Sequence, residues 1–170
     1  MFNIFVQNLV IKNMPRPKNN RLVFEPPVFK SFKPIGVKGA ELESVILSLD
    51  EFEAFRLADQ MGFSQQEAAE EMEISRPTFT RLIEKARKKI ADFIIGGKIL
   101  EIEGGNIHFK NNIIKCLDCG HMFRTTFNDD VLECPSCHSK RLLNLAGGFG
   151  HGKCCTNRNQ KRGGNYARKR

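Results

Sequence analysis

Between residues 48 and 97 the apolar positions recur every three or four residues, the period of helices that bury one face. Ser48 followed three residues later by Glu51 is a capping-box signature. Leu49, Phe52, Phe55 and Ala58 then continue one stripe to Gly62, a natural helix stop. Ser64 with Glu67 repeats the signature and predicts a second, short helix that buries Ala68, Ala69 and Met72. Ser75 is placed to cap a third helix, in whose first turn Pro77 is tolerated because amides there have no intrahelical partner. Phe79, Leu82, Ile83, Ala86, Ile90 and Phe93 form its stripe as far as Gly96 and Gly97. About twenty residues at 1.5 Å rise make that helix roughly 30 Å long.

Outside this region the period is lost. Residues 15–40 hold five of the seven prolines and predict an irregular, extended arm. Val45, Ile46 and Leu47 are a short apolar run, either a strand or the approach to the first helix. Residues 98–103 and 106–110 flank Gly104 and Gly105 in the manner of a β-hairpin. The expected fold is therefore mainly α: a three-helix helix-turn-helix domain over residues 48–110 with a following β-hairpin. To this are added a basic, proline-rich arm (14–47), a small four-cysteine zinc-ribbon β unit (111–145) and a disordered, glycine-rich basic tail (146–170). Residues 1–13 fit nothing that follows, and Met14 is the expected natural start.

Residues 65–84 have the arrangement of a DNA-binding helix-turn-helix. Ala69 is the small residue at the helix crossing, Phe79 and Leu82 pack inward, and residues 72–75 make the turn. The candidate DNA-contacting residues at the start of the third helix are then Ser75, Arg76, Thr78, Thr80, Arg81 and Lys85. An arginine there can bond guanine edges in the major groove, and hydroxyls can bond bases or phosphates. The turn position that glycine often holds is Glu73 here, a residue without easy access to positive φ. The plainer reading is a three-helix bundle whose last helix happens to be basic.

Cys116-x2-Cys119, fourteen residues, then Cys134-x2-Cys137 is the spacing of two metal knuckles that complete a tetrahedral thiolate site. A four-thiolate site is closed, so the expected role is structural Zn2+. Iron is the alternative, because CxxCG…CPxC also resembles rubredoxin, although the spacer is shorter and that family's Tyr and Trp are missing. His138 stands where a second glycine is usual in such knuckles. Cys154 and Cys155 with His151 form a lesser metal candidate, since adjacent cysteines rarely chelate one ion well.

Charge sharpens this picture. Lys and Arg number 27 against 19 Asp and Glu, and the surplus is clustered. Residues 41–75 carry ten acidic side chains and one Arg, residues 76–90 six basic and one acidic, and residues 146–170 seven basic and none acidic. Clusters of this kind favour a polyanion, most simply double-stranded DNA. No signal peptide or apolar span is evident, which predicts a cytoplasmic protein with no membrane partner. Six cysteines in such a chain then point to metal or redox chemistry rather than disulfides. No phosphate loop, nucleophile elbow or open metal position is present, so no enzymatic activity is expected.

From Met14 onward the chain resembles a bacterial and archaeal family of predicted DNA-binding proteins of unknown function, with a helix-turn-helix like region four of sigma factors. The segments that carry the resemblance are MPRPKNNR, FKPIG, LSLDEFEAFRLAD, QEAAEEM, SRPTFTRLIEKARKKIADFI and GKILEIEGG, followed by CxxCGH…CPxC and a Cys-containing tail. The resemblance implies a DNA-binding regulator and specifies neither target nor effector. Homo-oligomerisation and contact with the transcription machinery are compatible with it. The alternative is a metal- or redox-sensing protein, in which the four-cysteine site or Cys154 and Cys155 control nucleic-acid binding.

Overall fold

The structure, a computed structural model, describes residues 20–151 of the 170. The proposed extension at 1–13, most of the basic arm's first residues and the tail beyond His151, with Cys154 and Cys155, lie outside the described residues. Three short segments precede the helices: β1 (Arg21–Val23), β2 (Ser31–Phe32) and β3 (Ser44–Leu47). Helix α1 (Leu49–Phe55) runs on as a π-helical turn, Arg56–Gln60. Helices α2 (Gln65–Glu71) and α3 (Arg76–Ile95) follow, then β4 (Ile99–Ile102), β5 (Ile107–Phe109), β6 (Asn111–Cys116), β7 (Met122–Thr126), β8 (Leu142–Asn144) and α4 (Leu145–Gly148). Among the described residues no helix is long and apolar enough to cross a membrane.

The expectation of a mainly α fold is overturned. The fold is mixed α/β: the described residues are about 35% helix and 23% strand and form three small sheets. β3 pairs in parallel with β4, and the three main helices form the crossover between them. β2 adds to the other edge of β4, antiparallel. The predicted hairpin around Gly104 and Gly105 does not form, because β4 already has β2 and β3 as neighbours and β5 pairs in parallel with β1. The two glycines, at φ 74° and 95°, carry the chain past the start of α1 instead. There the Gly104 carbonyl accepts the Leu49 N–H at 3.2 Å. A Cβ on Gly105 would stand 3.0 Å from an Asp50 carboxylate oxygen.

The tail expected to be disordered from residue 146 is ordered at its start. Ala146 is fully buried in the main core, and its N–H donates to the side chain of buried Asn112 at 3.0 Å. The proline-rich arm is likewise built in: Val23 is fully buried, and the Leu22 N–H donates to the Met72 carbonyl.

The helices form where the pattern places them. At Ser48 the Glu51 carboxylate accepts the cap N–H at 2.9 Å, while Ser64 and Glu67 complete a reciprocal capping box. Two apolar clusters result. One joins Val23, Leu47, Leu49, Ile102 and Phe109 across the sheets, with Ala86 from α3. The other packs Ala54 and Leu57 against Ala68, Ala69, Met72, Phe79, Leu82 and Ile83. α3 contributes to both, which fixes it between the sheet and the two preceding helices.

The acidic block is not simply a solvated face. Asp50, Glu51 and Glu53 are buried. They pair with Arg21 of β1, Lys89 of α3 and Arg56 of the π turn respectively. Glu53 also accepts the Phe24 N–H at 3.1 Å. Burial opposes the charge on Glu51, but the Lys89 ammonium and the Ser48 N–H and hydroxyl outweigh it and hold its carboxyl below the usual range.

Glu73 does what its place in the turn demands. It adopts φ 53°, the left-handed region that costs a side-chain-bearing residue about 1 kcal/mol or more. Glu73→Gly is therefore expected to raise stability by roughly 0.5–1 kcal/mol, the relief being partly offset by a more flexible unfolded chain. Urea unfolding at unchanged slope checks this, and a loss of stability would show that the Glu73 side chain matters more than its strain.

Candidate nucleic-acid interface and metal centre

The turn between α2 and α3 spans residues 72–75, as the sequence predicts. Its backbone is closed by Glu73 N–H to Glu70 and Ile74 N–H to Ala69, both 3.0 Å. Ser75 stands at the N-cap of α3 with extended backbone, but its hydroxyl meets the Thr78 hydroxyl at 2.8 Å rather than an amide. The Thr80 hydroxyl donates to Gln65, the first residue of α2, so it ties the two helices together. Ser75, Arg76, Arg81 and Lys85 are exposed, and Thr78 and Thr80 are half-buried.

The basic residues of α3 divide into two sets. Arg87 pairs with Asp59 at 2.9 Å, and Lys89 with Glu51 at 2.6 Å, both holding α3 to the first helical segment. Arg76, Arg81, Lys85 and Lys88 are exposed and make no ion pair among the described residues. Arg81, Lys85 and Lys88 stand at i, i+4 and i+7, one stripe on the solvent side of the helix. Lys88 is absent from the candidates drawn from sequence, although that spacing was there to find it. On the same helix the stripe has two exposed acidic neighbours, Glu84 beside it and Asp92 at its far end.

The four cysteines come together from two matching loops. In the first, the Cys116 N–H donates to the His121 carbonyl at 2.9 Å and the Gly120 N–H to the Cys116 carbonyl at 3.1 Å. In the second, Cys134 N–H to Ser139 and His138 N–H to Cys134 repeat both bonds at 2.9 Å. The same fold needs positive φ at the same place, met by Gly120 at 74° and His138 at 58°. The Leu117 N–H donates to the Arg141 carbonyl, and Asp118 accepts Ser139 and Arg141, joining the loops.

All four Sγ atoms lie within 4.8 Å of one another, with Cys116–Cys137 at 3.6 Å and Cys119–Cys134 at 3.7 Å. A tetrahedral ion with metal–sulfur bonds of about 2.3 Å separates its sulfurs by about 3.8 Å. The set fits a metal ion. Cys116 and Cys134 are buried and Cys119 and Cys137 exposed. Backbone N–H groups of Cys119 and Asp118 bring the Cys116 thiol down to about 6, while, against a backbone N–H at Ser139, the three neighbouring thiols and burial push Cys137 up to about 12.

The chain thus combines helices laid over a small mixed sheet with a four-cysteine unit that can bind a metal ion. The family described as "Protein of unknown function DUF134" matches residues 11–110, and the chain belongs to that family. It is 48% identical over 132 residues to a UPF0251 protein of Chloroherpeton thalassium, covering 78% of this chain and 87% of that one. To a UPF0251 protein of Caldicellulosiruptor saccharolyticus it is 43% identical over 145 residues, 82% of this chain and 99% of the relative. To one of Chlorobaculum tepidum it is 41% identical, with 82% and 74% covered. Alignments of that length run past residue 110, so this similarity takes in the four-cysteine unit.

Proposed function

We propose that the protein binds double-stranded DNA sequence-specifically, as a transcriptional regulator, with α2 and α3 as its helix-turn-helix and α3 in the major groove. The observation that carries this is the basic stripe of Arg81, Lys85 and Lys88 on α3, which like Arg76 makes no ion pair among the described residues, whereas Arg87 and Lys89 are committed to internal ones. Cations that no described carboxylate neutralises, on one exposed helix face, suit a phosphate-lined groove. Ser75, Arg76 and Thr78 lie at the helix start, the end that such motifs direct at base edges. Thr80 acts instead by holding α3 to α2. The four cysteines hold Zn2+ in a closed thiolate set, which suits a structural and non-catalytic role. Selection from a pool of random duplexes by the full-length chain tests the reading. A single enriched motif is expected. Equal retention of every duplex would reduce the protein to a non-specific polyanion binder.

A further inference from the structure

The turn between α2 and α3 is held partly from outside those helices, by residues that lead into the four-cysteine unit. Strand β1 supplies one tie. The Leu22 N–H donates at 3.1 Å to the carbonyl of Met72, the residue that ends α2 and opens the turn. Lys110 supplies the other, its ammonium 3.0 Å from the carboxylate of Glu71, the last residue of α2. Both ties fall within two residues of Glu73, whose φ of 53° makes this the strained point of the turn. The angle between α2 and α3 therefore depends in part on β1 and Lys110.

The same residues continue into the four-cysteine unit. Lys110 alone separates β5 from β6, and β6 ends on Cys116. The Lys110 and Asn111 N–H groups donate to the Val23 and Phe24 carbonyls, both at 2.8 Å, so β1 and the root of β6 form one hydrogen-bonded piece. Arg124 of β7, opposite Ile113 of β6, forks onto the Glu25 carboxylate at 2.6 and 2.9 Å. An exposed ion pair alone is worth little, but these act together with the backbone bonds. We propose that metal binding at the four cysteines regulates the DNA affinity of the helix-turn-helix, with β1, Glu25 and Lys110 positioning the turn. This rests on the reading of α2 and α3 as a DNA-binding motif. With the four thiolates tied to one ion, β6 and β7 stay paired and hold Lys110 and Arg124 in place. Without that tie the Leu22 to Met72 bond opens more often, and α3 keeps its helix but not one fixed angle to α2.

Amide exchange and duplex affinity of the full-length reduced chain test this, with zinc bound and after removal by a chelator. Cys134→Ser gives a second metal-free form. In both metal-free forms the Leu22 amide should exchange roughly tenfold faster or more, while the Ile83 amide of α3 stays slow. Affinity for the selected duplex should fall roughly tenfold, the size of an ordinary coupling between sites. Unchanged Leu22 exchange on metal loss overturns the proposal, even if affinity falls, because the four-cysteine unit would then act on DNA directly. Faster Leu22 exchange at unchanged affinity overturns it as well, and so does loss of Ile83 protection, since the metal would then simply hold the whole fold. A zinc-loaded chain that selects no duplex defeats the DNA reading itself. That failure is told apart from a failure of the coupling because the Leu22 amide still responds to metal.

Discussion

Cys134→Ser is expected to release the metal and unfold the segment from β6 to β8 while α1, α2 and α3 remain. Cys134 is fully buried, and its sulfur lies 3.7 Å from that of Cys119. The three short strands around it bury little besides Ile113, Ile114 and the two inner cysteines. So small a unit depends on its staple, and structural zinc sites supply roughly 10–16 kcal/mol of coupled binding and folding. Elemental analysis should fall from about one zinc per chain to nearly none. Amide exchange should rise across β6 and β7 and stay slow in α3. A red parent protein with about one iron would reassign the ion. Retention of the metal by the variant would show that Cys134 is not a ligand.

Phe79→Ala is expected to cost about 3–5 kcal/mol. Phe79 is fully buried and fills the space between Ala68, Ala69 and Met72 of the α2 side and Ala54 and Leu57 of the first helix. Small alanines on the facing helices cannot move inward to close the void, so the cavity persists. Most domains are stable by only about 5–15 kcal/mol, so the variant loses much of its margin. Ile95→Ala, at a side chain that is 86% exposed, should change stability by less than about 0.5 kcal/mol. Urea unfolding of the two variants beside the parent separates them, and equal losses would contradict the packing described for α3.

The parts of the fold that were legible in the sequence are those specified locally. Both Ser-to-Glu cap pairs, the stripe from Phe79 to Phe93 and the turn at 72–75 involve residues within a few positions of one another. The two awkward turn positions, Glu73 and His138, were visible for the same reason, and both take positive φ. The strands were not legible in this way. β1 finds its partner β5 more than eighty residues away, and β3 pairs with β4 across three helices. Nothing near Gly104 and Gly105 signals that their flanking strands have distant partners already. The buried acids were hidden likewise, since Arg21, Lys89 and Arg56 must be brought to them by the fold. At the candidate interface, composition showed a basic helix but not which cations are neutralised. Only the ion pairs of Arg87 and Lys89 single out the Arg81 stripe.

That division allows a direct test of the DNA face. Arg81 and Arg87 carry the same charge, lie on the same helix and are both exposed, but among the described residues only Arg87 has an ion-pair partner, Asp59. Affinity for the selected duplex should be measured for Arg81→Ala and Arg87→Ala beside the parent, at one salt concentration. Arg81→Ala should cost about 1–3 kcal/mol, a loss of roughly five- to 150-fold, whereas Arg87→Ala should change affinity by less than about twofold. Equal losses from the two substitutions would mean that the helix offers only net charge, and that the solvent-side stripe does not read DNA.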